Sequence, residues 1–289
     1  MNTATAAGRL RALLGREAPI VAPGVFDGLS ARLVARAGFA AVYASGGAIA
    51  RSMSLPDLGL LSMSDMLARL SSIVDAVDIP VIADADTGYG NALNVQRAVR
   101  AFCRAGVAAL HLEDQDFPKR CGHYDDKALI SAGEMAGKLR AARDAAGAEL
   151  VLIARTDALA VEGLDAAVER AAAYVAAGAD VIFVEAPTSE EQIAQIARRV
   201  PHPKLINMFQ GGKTPLVPLA RLAALGYRIV IVPSDLQRAS IGAMQAVLGD
   251  IARDGNSATY AGPMPTFAER ETIVGTADFL RLDKRYGSD

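Results

Sequence analysis

Two aspartates and a glutamate stand where β-branched segments of the chain end, and these carboxylates could bind a metal ion. Asp84 and Asp86 lie in ADADTGYG, and Glu113 lies in ALHLED. Residues two apart on a strand point the same way, so both aspartates can face one pocket, where they repel unless a cation lies between them. Without a nearby histidine pair, oxygen ligands favour Mg²⁺ or Mn²⁺ over zinc. We therefore predict a Mg²⁺ or Mn²⁺ site at Asp84, Asp86 and Glu113; the alternative is that they only cap loops.

A cysteine in the polar segment 115–124 could carry a proton. The segment has no helical or strand periodicity, so it is predicted to form a loop over the same pocket. Cys121 has Lys119, Arg120 and His123 within two residues, and positive neighbours favour the thiolate form of a cysteine. We therefore predict that Cys121 is a general acid; an incidental surface cysteine is the alternative.

Polar residues and glycines also follow other segments of the same type. They are Ser45, Gly46, Gly47, Arg155, Glu185 and Asn207. A single polar residue after a strand is usually a helix N-cap. Burying so many carboxylates and other polar groups near one axis would be costly without a cation, so we predict that together they line one ligand site.

The segments that must position these residues alternate with Ala-rich helical stretches, which is typical of an α/β protein with a parallel sheet. The predicted strands are residues 19–23, 41–45, 80–86, 109–114, 150–157, 181–186, 204–208 and 228–233. Eight such units favour a closed (β/α)8 TIM barrel, whose active sites form at the carboxyl ends of the strands. We predict one domain over 1–289, with the barrel over about 18–254 and a C-terminal helical extension over about 255–289.

The composition excludes several classes of partner. The 289 residues carry 32 acidic and 30 basic side chains, a net charge of −2 without basic clusters, so nucleic acid is not an expected partner. No apolar run approaches the roughly 18–20 residues that span a bilayer, and no secretory signal is recognisable. Two cysteines form no disulfide framework. We predict a cytoplasmic protein that binds a small carboxylate, not a membrane.

The segment PKRCGH (118–123), with ADADTGYGN before it and ARTDALAVEGLDAAVERA after it, resembles the isocitrate lyase and phosphoenolpyruvate mutase superfamily. The resemblance extends from about residue 18 to the C-terminus. The K-R-C-G-H motif is specific to the carbon–carbon lyases, and the short 2-methylisocitrate and 2,3-dimethylmalate lyases are the most similar branch. This resemblance implies the same barrel in a homotetramer, a dimer of dimers that exchange a C-terminal helix.

The resemblance also implies roles for the site residues. Cys121 would protonate the departing carbanion, supported by Lys119, Gly122 and His123. Mg²⁺ would be held by Asp84 and Asp86, with Glu113 in its shell and Asp57 near it. Arg155 would act beside Glu113 in catalysis, and Glu113, Glu185 or a water would be the base. The implied substrate-binding residues are Ser45, Gly46, Gly47, Gly122, Arg155, Glu185, Asn207 and Arg238.

The resemblance predicts the type of reaction better than it predicts the substrate, because the chain departs from the family pattern at two positions. Phe267 stands where 2-methylisocitrate lyases carry a second arginine, and Asp235 matches neither branch. We predict a Mg²⁺-dependent lyase that cleaves a 2-hydroxy di- or tricarboxylate to a 2-oxo acid such as pyruvate and a second carboxylate, and Phe267 favours the dicarboxylate. The alternatives are an oxaloacetate hydrolase or decarboxylase, a phosphonate mutase, and a barrel that binds a carboxylate or metal without turnover.

Overall fold

Eight parallel strands close into a barrel in chain order, in a computed structural model that describes residues 5–122, 124 and 126–287. The strands are β1 (Ile20–Val25), β2 (Val42–Ala44), β3 (Val81–Asp84), β4 (Ala109–Glu113), β5 (Val151–Thr156), β6 (Val181–Val184), β7 (Lys204–Asn207) and β8 (Tyr227–Val232). Pairing of β1 with β8 closes the sheet. The predicted (β/α)8 barrel is confirmed, because all eight predicted segments form strands.

Helices connect the strands and surround the barrel. They are α1 (Ala6–Leu14), α2 (Gly28–Arg36), α3 (Gly46–Ser52), α4 (Met63–Asp75), α5 (Ala92–Arg104), α6 (Ala132–Ala146), α7 (Ala158–Val161), α8 (Leu164–Ala176), α9 (Glu190–Arg199), α10 (Leu219–Ala224), α11 (Asp235–Asp254), α12 (Phe267–Val274) and α13 (Thr276–Tyr286). Ser62 and Asn91 begin α4 and α5 as N-caps whose side chains accept backbone N–H groups, which fixes where these helices start.

Alternation along each strand decides which side chains enter the barrel. On β5, Ile153 belongs to the cluster inside the barrel, whereas Leu152 and Ala154 pack outward against the helices. Successive strand residues point to opposite faces, so Arg155 enters the barrel with Ile153. Five other polar residues also lie two positions after a side chain that points into the barrel, so they point into it as well. They are Ser45, Asp84, Glu113, Glu185 and Asn207. The interior positions at the carboxyl ends are therefore polar, and those below them are apolar.

The three C-terminal helices lie outside this core. Only Gln237 is buried on α11, and no residue is buried on α12 or α13. The side chain of Arg32 on α2 donates to the carbonyl of Val274 at 2.8 Å and so ties the end of α12 to the barrel. Across the described part of the chain, every helix is too short or too polar to cross a membrane.

Candidate active site

A cavity of about 250 Å³ opens at the carboxyl ends of the strands. Eleven of the residues predicted from sequence line it: Ser45, Gly47, Asp57, Asp84, Lys119, Cys121, Gly122, Arg155, Glu185, Asn207 and Arg238. Gly46, Asp86 and Glu113 lie behind this lining, and His123 lies outside the described residues. The segments after β2, β4 and β8 thus contribute to one concave site with the strand ends of β3, β5 and β7 and with Glu185, which directly follows β6.

Asp84 ends β3 and is held by groups from three other places in the fold. Its carboxylate accepts the backbone N–H of Gly46 and the hydroxyl of Tyr43, each at 3.2 Å, and the N–H of Asp86 at 3.0 Å. Burial raises the pKa of Asp84, but neighbouring cations, including Lys119, lower it further than burial raises it. Asp84 is therefore an anion fixed in position at the cavity wall.

Asp86 is close to Asp84 for a different reason from the one the sequence suggested. The strand ends at Asp84, and the backbone of Asp86 has a φ of 47°, so the alternation of β3 does not reach it. Asp86 instead pairs with the ammonium of Lys119 at 2.9 Å, and Lys119 also contacts Asp57. Burial, together with the charge of Asp84, raises the pKa of Asp86 to about 6 against the opposing charge of Lys119.

Arg155 connects three carboxylates at the bottom of the cavity. Its guanidinium donates to Asp157 at 2.9 Å and 3.2 Å, and it lies 3.2 Å from Glu113 and 3.9 Å from Glu185. Asn207 donates to the other oxygen of Glu185 at 3.3 Å. Because paired planar groups of this kind restrict one another, the side chains are preorganised around the cavity.

The donor set fits a hard divalent cation. Carboxylates at or beside the cavity outnumber the buried cations: they are Asp57, Asp84, Asp86, Glu113, Asp157 and Glu185, against Lys119, Lys127 and Arg155. The Oε1 atom of Glu113 is buried without a hydrogen-bond partner, and burial raises the pKa of Glu113 well above its usual value.

The number of carboxylates that would bind the ion directly is small. Within residues 5–122, 124 and 126–287, no three His, Cys, Asp or Glu side chains are grouped at metal-ligand spacing. Mg²⁺ typically takes one or two carboxylates and keeps several waters, so a site built on Asp84 and Asp86 does not need a third direct ligand. Glu113 suits a contact through water, with its unpartnered oxygen as the acceptor.

The loop that carries Cys121 is held down on both sides of the cysteine. Gln115 pairs with the backbone of Arg120, and the ammonium of Lys127 donates to the carbonyl of Gly122 at 2.6 Å. A Cβ atom on Gly122 would lie 2.5 Å from the Arg155 guanidinium, so only glycine allows the loop this close to the strand ends. Cys121 is thereby placed at the cavity wall.

The histidine of β4 has a supporting place in the site. His111 is fully buried, with Nε2 2.8 Å from the Tyr43 hydroxyl and 3.4 Å from Asp84 Oδ1. Burial lowers the pKa of His111, which favours the neutral ring. It therefore orients the side chains of Tyr43 and Asp84, which line the cavity.

Several lining residues were not predicted from sequence. They are Tyr43, Arg51, Phe183, Phe209, Ile231, Pro233, Ser234, Gln237 and Ile241. The alternation of side chains along the strands could have identified Tyr43 and Phe183 as lining residues, because each lies two residues before a predicted site residue. Arg51 and Gln237 lie on helices, where no local pattern marks them. Phe267, by contrast, is 72% exposed on α12 and does not line the cavity of its own chain.

Comparison with known proteins gives a consistent set of relatives. The family described as phosphoenolpyruvate phosphomutase matches residues 10–252. The chain is 42% identical to 2,3-dimethylmalate lyase of Eubacterium barkeri, over 100% of this chain and 99% of that protein. It is 45% identical to 2-methylisocitrate lyase of Aeropyrum pernix, over 95% of this chain and 89% of that protein.

Solved structures agree over almost the whole chain. A crystal structure of 2,3-dimethylmalate lyase superposes with a TM-score of 0.91 at 39% identity, covering 98% of this chain and 96% of that one. Oxaloacetate acetylhydrolase with 3,3-difluorooxalacetate gives a TM-score of 0.92 at 35% identity, covering 99% and 98%. Phosphonopyruvate hydrolase, in a complex with oxalate and Mg²⁺, gives 0.89 at 33% identity, covering 98% and 100%.

Proposed function

Because the chain belongs to the phosphoenolpyruvate mutase and isocitrate lyase superfamily, we propose that it is a metal-dependent carbon–carbon lyase acting on a 2-hydroxy di- or tricarboxylate. The products are a 2-oxo acid such as pyruvate and a second carboxylate. The observation that carries the proposal is the placement of Cys121 at one cavity together with Asp84 and Arg155. A lyase of this kind needs all three: a proton donor, a cation site and a carboxylate partner.

The residues of the cavity bind and orient the substrate. Arg155 offers a guanidinium fixed by Asp157, and Asn207 and Glu185 stand beside it. Ser45 and Gly47 at the start of α3 line the same cavity and would contact a carboxylate of the substrate, whereas the N–H of Gly46 already donates to Asp84. A Mg²⁺ or Mn²⁺ ion held by Asp84 and Asp86, with Glu113 nearby, would lower the pKa of the substrate hydroxyl and stabilise its anion.

Proton transfer at two atoms completes the reaction. The hydroxyl proton passes to a base, Glu113, Glu185 or a water between them, and the C2–C3 bond breaks as the C2–O bond becomes a carbonyl. The electron pair of the broken bond stays on C3, and the Cys121 thiol delivers the proton that C3 requires. A positioned acid contributes roughly 10²–10⁴-fold to such a step. The loop around Cys121, held down over the strand ends, limits the access of water to the carbanion.

An oxaloacetate hydrolase is the second candidate, and one observation favours it. The structure of oxaloacetate acetylhydrolase superposes as well as that of 2,3-dimethylmalate lyase does. Cleavage of oxaloacetate by water also leaves an electron pair on C3, where the departing acetate takes up a proton, so Cys121 fits either reaction. The higher identity to the superposed 2,3-dimethylmalate lyase, 39% against 35% for oxaloacetate acetylhydrolase, favours the lyase.

A substrate panel tests the proposal. The enzyme with Mg²⁺ is offered 2,3-dimethylmalate, 2-methylisocitrate and oxaloacetate, and the release of pyruvate, oxalate and acetate is followed. We expect pyruvate from a dimethylmalate or methylisocitrate substrate. Release of oxalate and acetate from oxaloacetate alone would instead identify the hydrolase.

We also propose that a second copy of the chain covers the C-terminal helices, within helix-swapped dimers that pair as a homotetramer. Large apolar side chains on α11 and α13 support this: Met244, Leu248, Phe279 and Leu280 are each more than half exposed. Monomers rarely leave such contiguous apolar surface in water. Light scattering of the protein should give the mass of four chains, and Leu248→Glu should lower it.

A further inference from the structure

We infer that Arg51 binds a carboxylate of the substrate and sets a preference for a tricarboxylate over a dicarboxylate, an inference that rests on the proposed lyase function. Arg51 lies one helical turn after Gly47 on α3, and it lines the cavity. Neither the motifs of the sequence nor the strand ends point to it. We assign this role to Arg51 because the other cations that line the cavity already pair with carboxylates of the protein.

The other three cations that line the cavity already have carboxylate partners within the protein. Lys119 pairs with Asp57 and Asp86. Arg155 pairs with Asp157 and lies near Glu113 and Glu185. Arg238 lies 3.6 Å from Asp235 and donates to the carbonyl of Gln210. Arg51 has no hydrogen bond or ion pair to any described residue, so its guanidinium is available to an anionic ligand.

The helix geometry directs Arg51 toward the part of the cavity where the substrate would bind. A helical side chain covers the turn that precedes its own Cα, and for Arg51 that turn is the glycine-rich start of α3. A Cβ atom on Gly47 would lie 3.2 Å from Arg51 Nη1 and 2.7 Å from Asp57 Oδ2. The guanidinium therefore lies across the bare backbone of Gly47, at the side of the cavity.

The neighbouring helix brings a second arginine to the same mouth. Gln237 on α11 donates its side-chain amide to the carbonyl of Ala48 on α3 at 2.8 Å, which holds the two helices together. Arg238 follows Gln237 directly, and Arg51 lies three residues beyond Ala48. Two guanidinium groups from adjacent helices thus face one cavity, in addition to the buried Arg155 at its floor.

The chemistry of the two candidate substrates assigns a use to this extra cation. 2,3-Dimethylmalate has two carboxylates, whereas 2-methylisocitrate has a third, on the half that leaves as succinate. A carboxylate removed from water needs a positive partner, and the planar fork of arginine can bind both of its oxygens. Arg51 provides that partner from within the same chain, whereas Phe267 does not line the cavity of its own chain.

Steady-state kinetics on matched variants test the inference. Arg51→Ala should raise KM for 2-methylisocitrate about 10- to 100-fold, the usual range for loss of a charged hydrogen-bonded pair. The KM for 2,3-dimethylmalate should change less than about threefold, because that substrate has no third carboxylate. Arg51→Lys should recover part of the loss, since it keeps the charge but not the fork. Arg104→Ala is the control: Arg104 is also an exposed last-turn arginine, on α5, away from the cavity.

Binding measurements separate this inference from the proposed reaction. Calorimetry with Mg²⁺ present compares propane-1,2,3-tricarboxylate with 2-methylsuccinate, which lacks only one terminal carboxylate, the group that also distinguishes 2-methylisocitrate from 2,3-dimethylmalate. We expect Arg51→Ala to weaken binding of the tricarboxylate and leave 2-methylsuccinate unchanged. Equal weakening of both ligands, or of neither, would overturn the role of Arg51, whichever substrate the enzyme cleaves. Failure to release pyruvate from either hydroxy acid would overturn the proposed reaction alone.

Discussion

The side-chain amide of Gln115 makes two hydrogen bonds to the backbone of Arg120, one to its carbonyl and one to its N–H. The Nε2 atom of Gln115 donates to the Arg120 carbonyl at 2.9 Å, and its Oε1 atom accepts the Arg120 N–H at 2.8 Å. Gln115 is buried two residues beyond the end of β4, and Arg120 directly precedes Cys121. The barrel itself, through one amide side chain, thus sets the position of the cysteine.

Gln115→Ala should lower kcat about 10- to 100-fold, because a displaced general acid loses much of its contribution. The KM should change little, since Gln115 does not line the cavity. Gln195→Ala removes an exposed amide that bonds Glu191 and should leave both constants unchanged. A rise in KM with constant kcat would show that Gln115 shapes binding and not the acid.

Cys121→Ser should lose about 10²–10⁴-fold in turnover, because a hydroxyl is a much weaker acid than a thiol. The variant should still bind pyruvate, which calorimetry can measure. Cys103→Ser is the matched control, since Cys103 lies on α5 outside the cavity. Equal losses of activity from the two substitutions would show that Cys121 has no special role.

Removal of divalent cations should abolish activity, and Mg²⁺ or Mn²⁺ should restore it. Asp84→Asn should remove the calorimetric signal of Mg²⁺ binding, because an amide cannot replace the charge of a metal-binding carboxylate. Asp75→Asn, an exposed position at the end of α4, should leave the signal intact. Full turnover in excess EDTA would contradict the metal assignment.

Arg170→Met should destabilise the fold by about 3–5 kcal/mol, because it leaves the buried carboxylate of Asp114 without its cation. Arg170 lies 3.3 Å from Asp114, and the two side chains are 9% and 0% exposed. Arg198→Met breaks an ion pair with Glu191 that is exposed on both sides, so it should cost less than about 1 kcal/mol. Urea denaturation of both variants measures the two free energies, and equal values would contradict this account of the Arg170 pair.

The ends of the strands were predictable because their signal is local. Alternation with a period of two places Asp84, Glu113 and Arg155 on the same side as the interior residues two positions before them. The chain therefore determined by itself that these groups meet at one end of a barrel. The K-R-C-G-H motif added the place of Cys121 in the loop after β4, and the relatives support the lyase chemistry it implied.

The tertiary structure decided which charged groups pair. The alternation stops at the end of β3, so the turn at Asp86, with a φ of 47°, sends that carboxylate to Lys119. Lys119 also contacts Asp57, which is 62 residues away in the chain. Among the described residues, Arg51 pairs with no carboxylate, whereas Lys119 and Arg155 also find partners on other elements of the barrel. Charge pairing depends on distances in space, and closure of the sheet brings together residues that no periodicity along the chain connects.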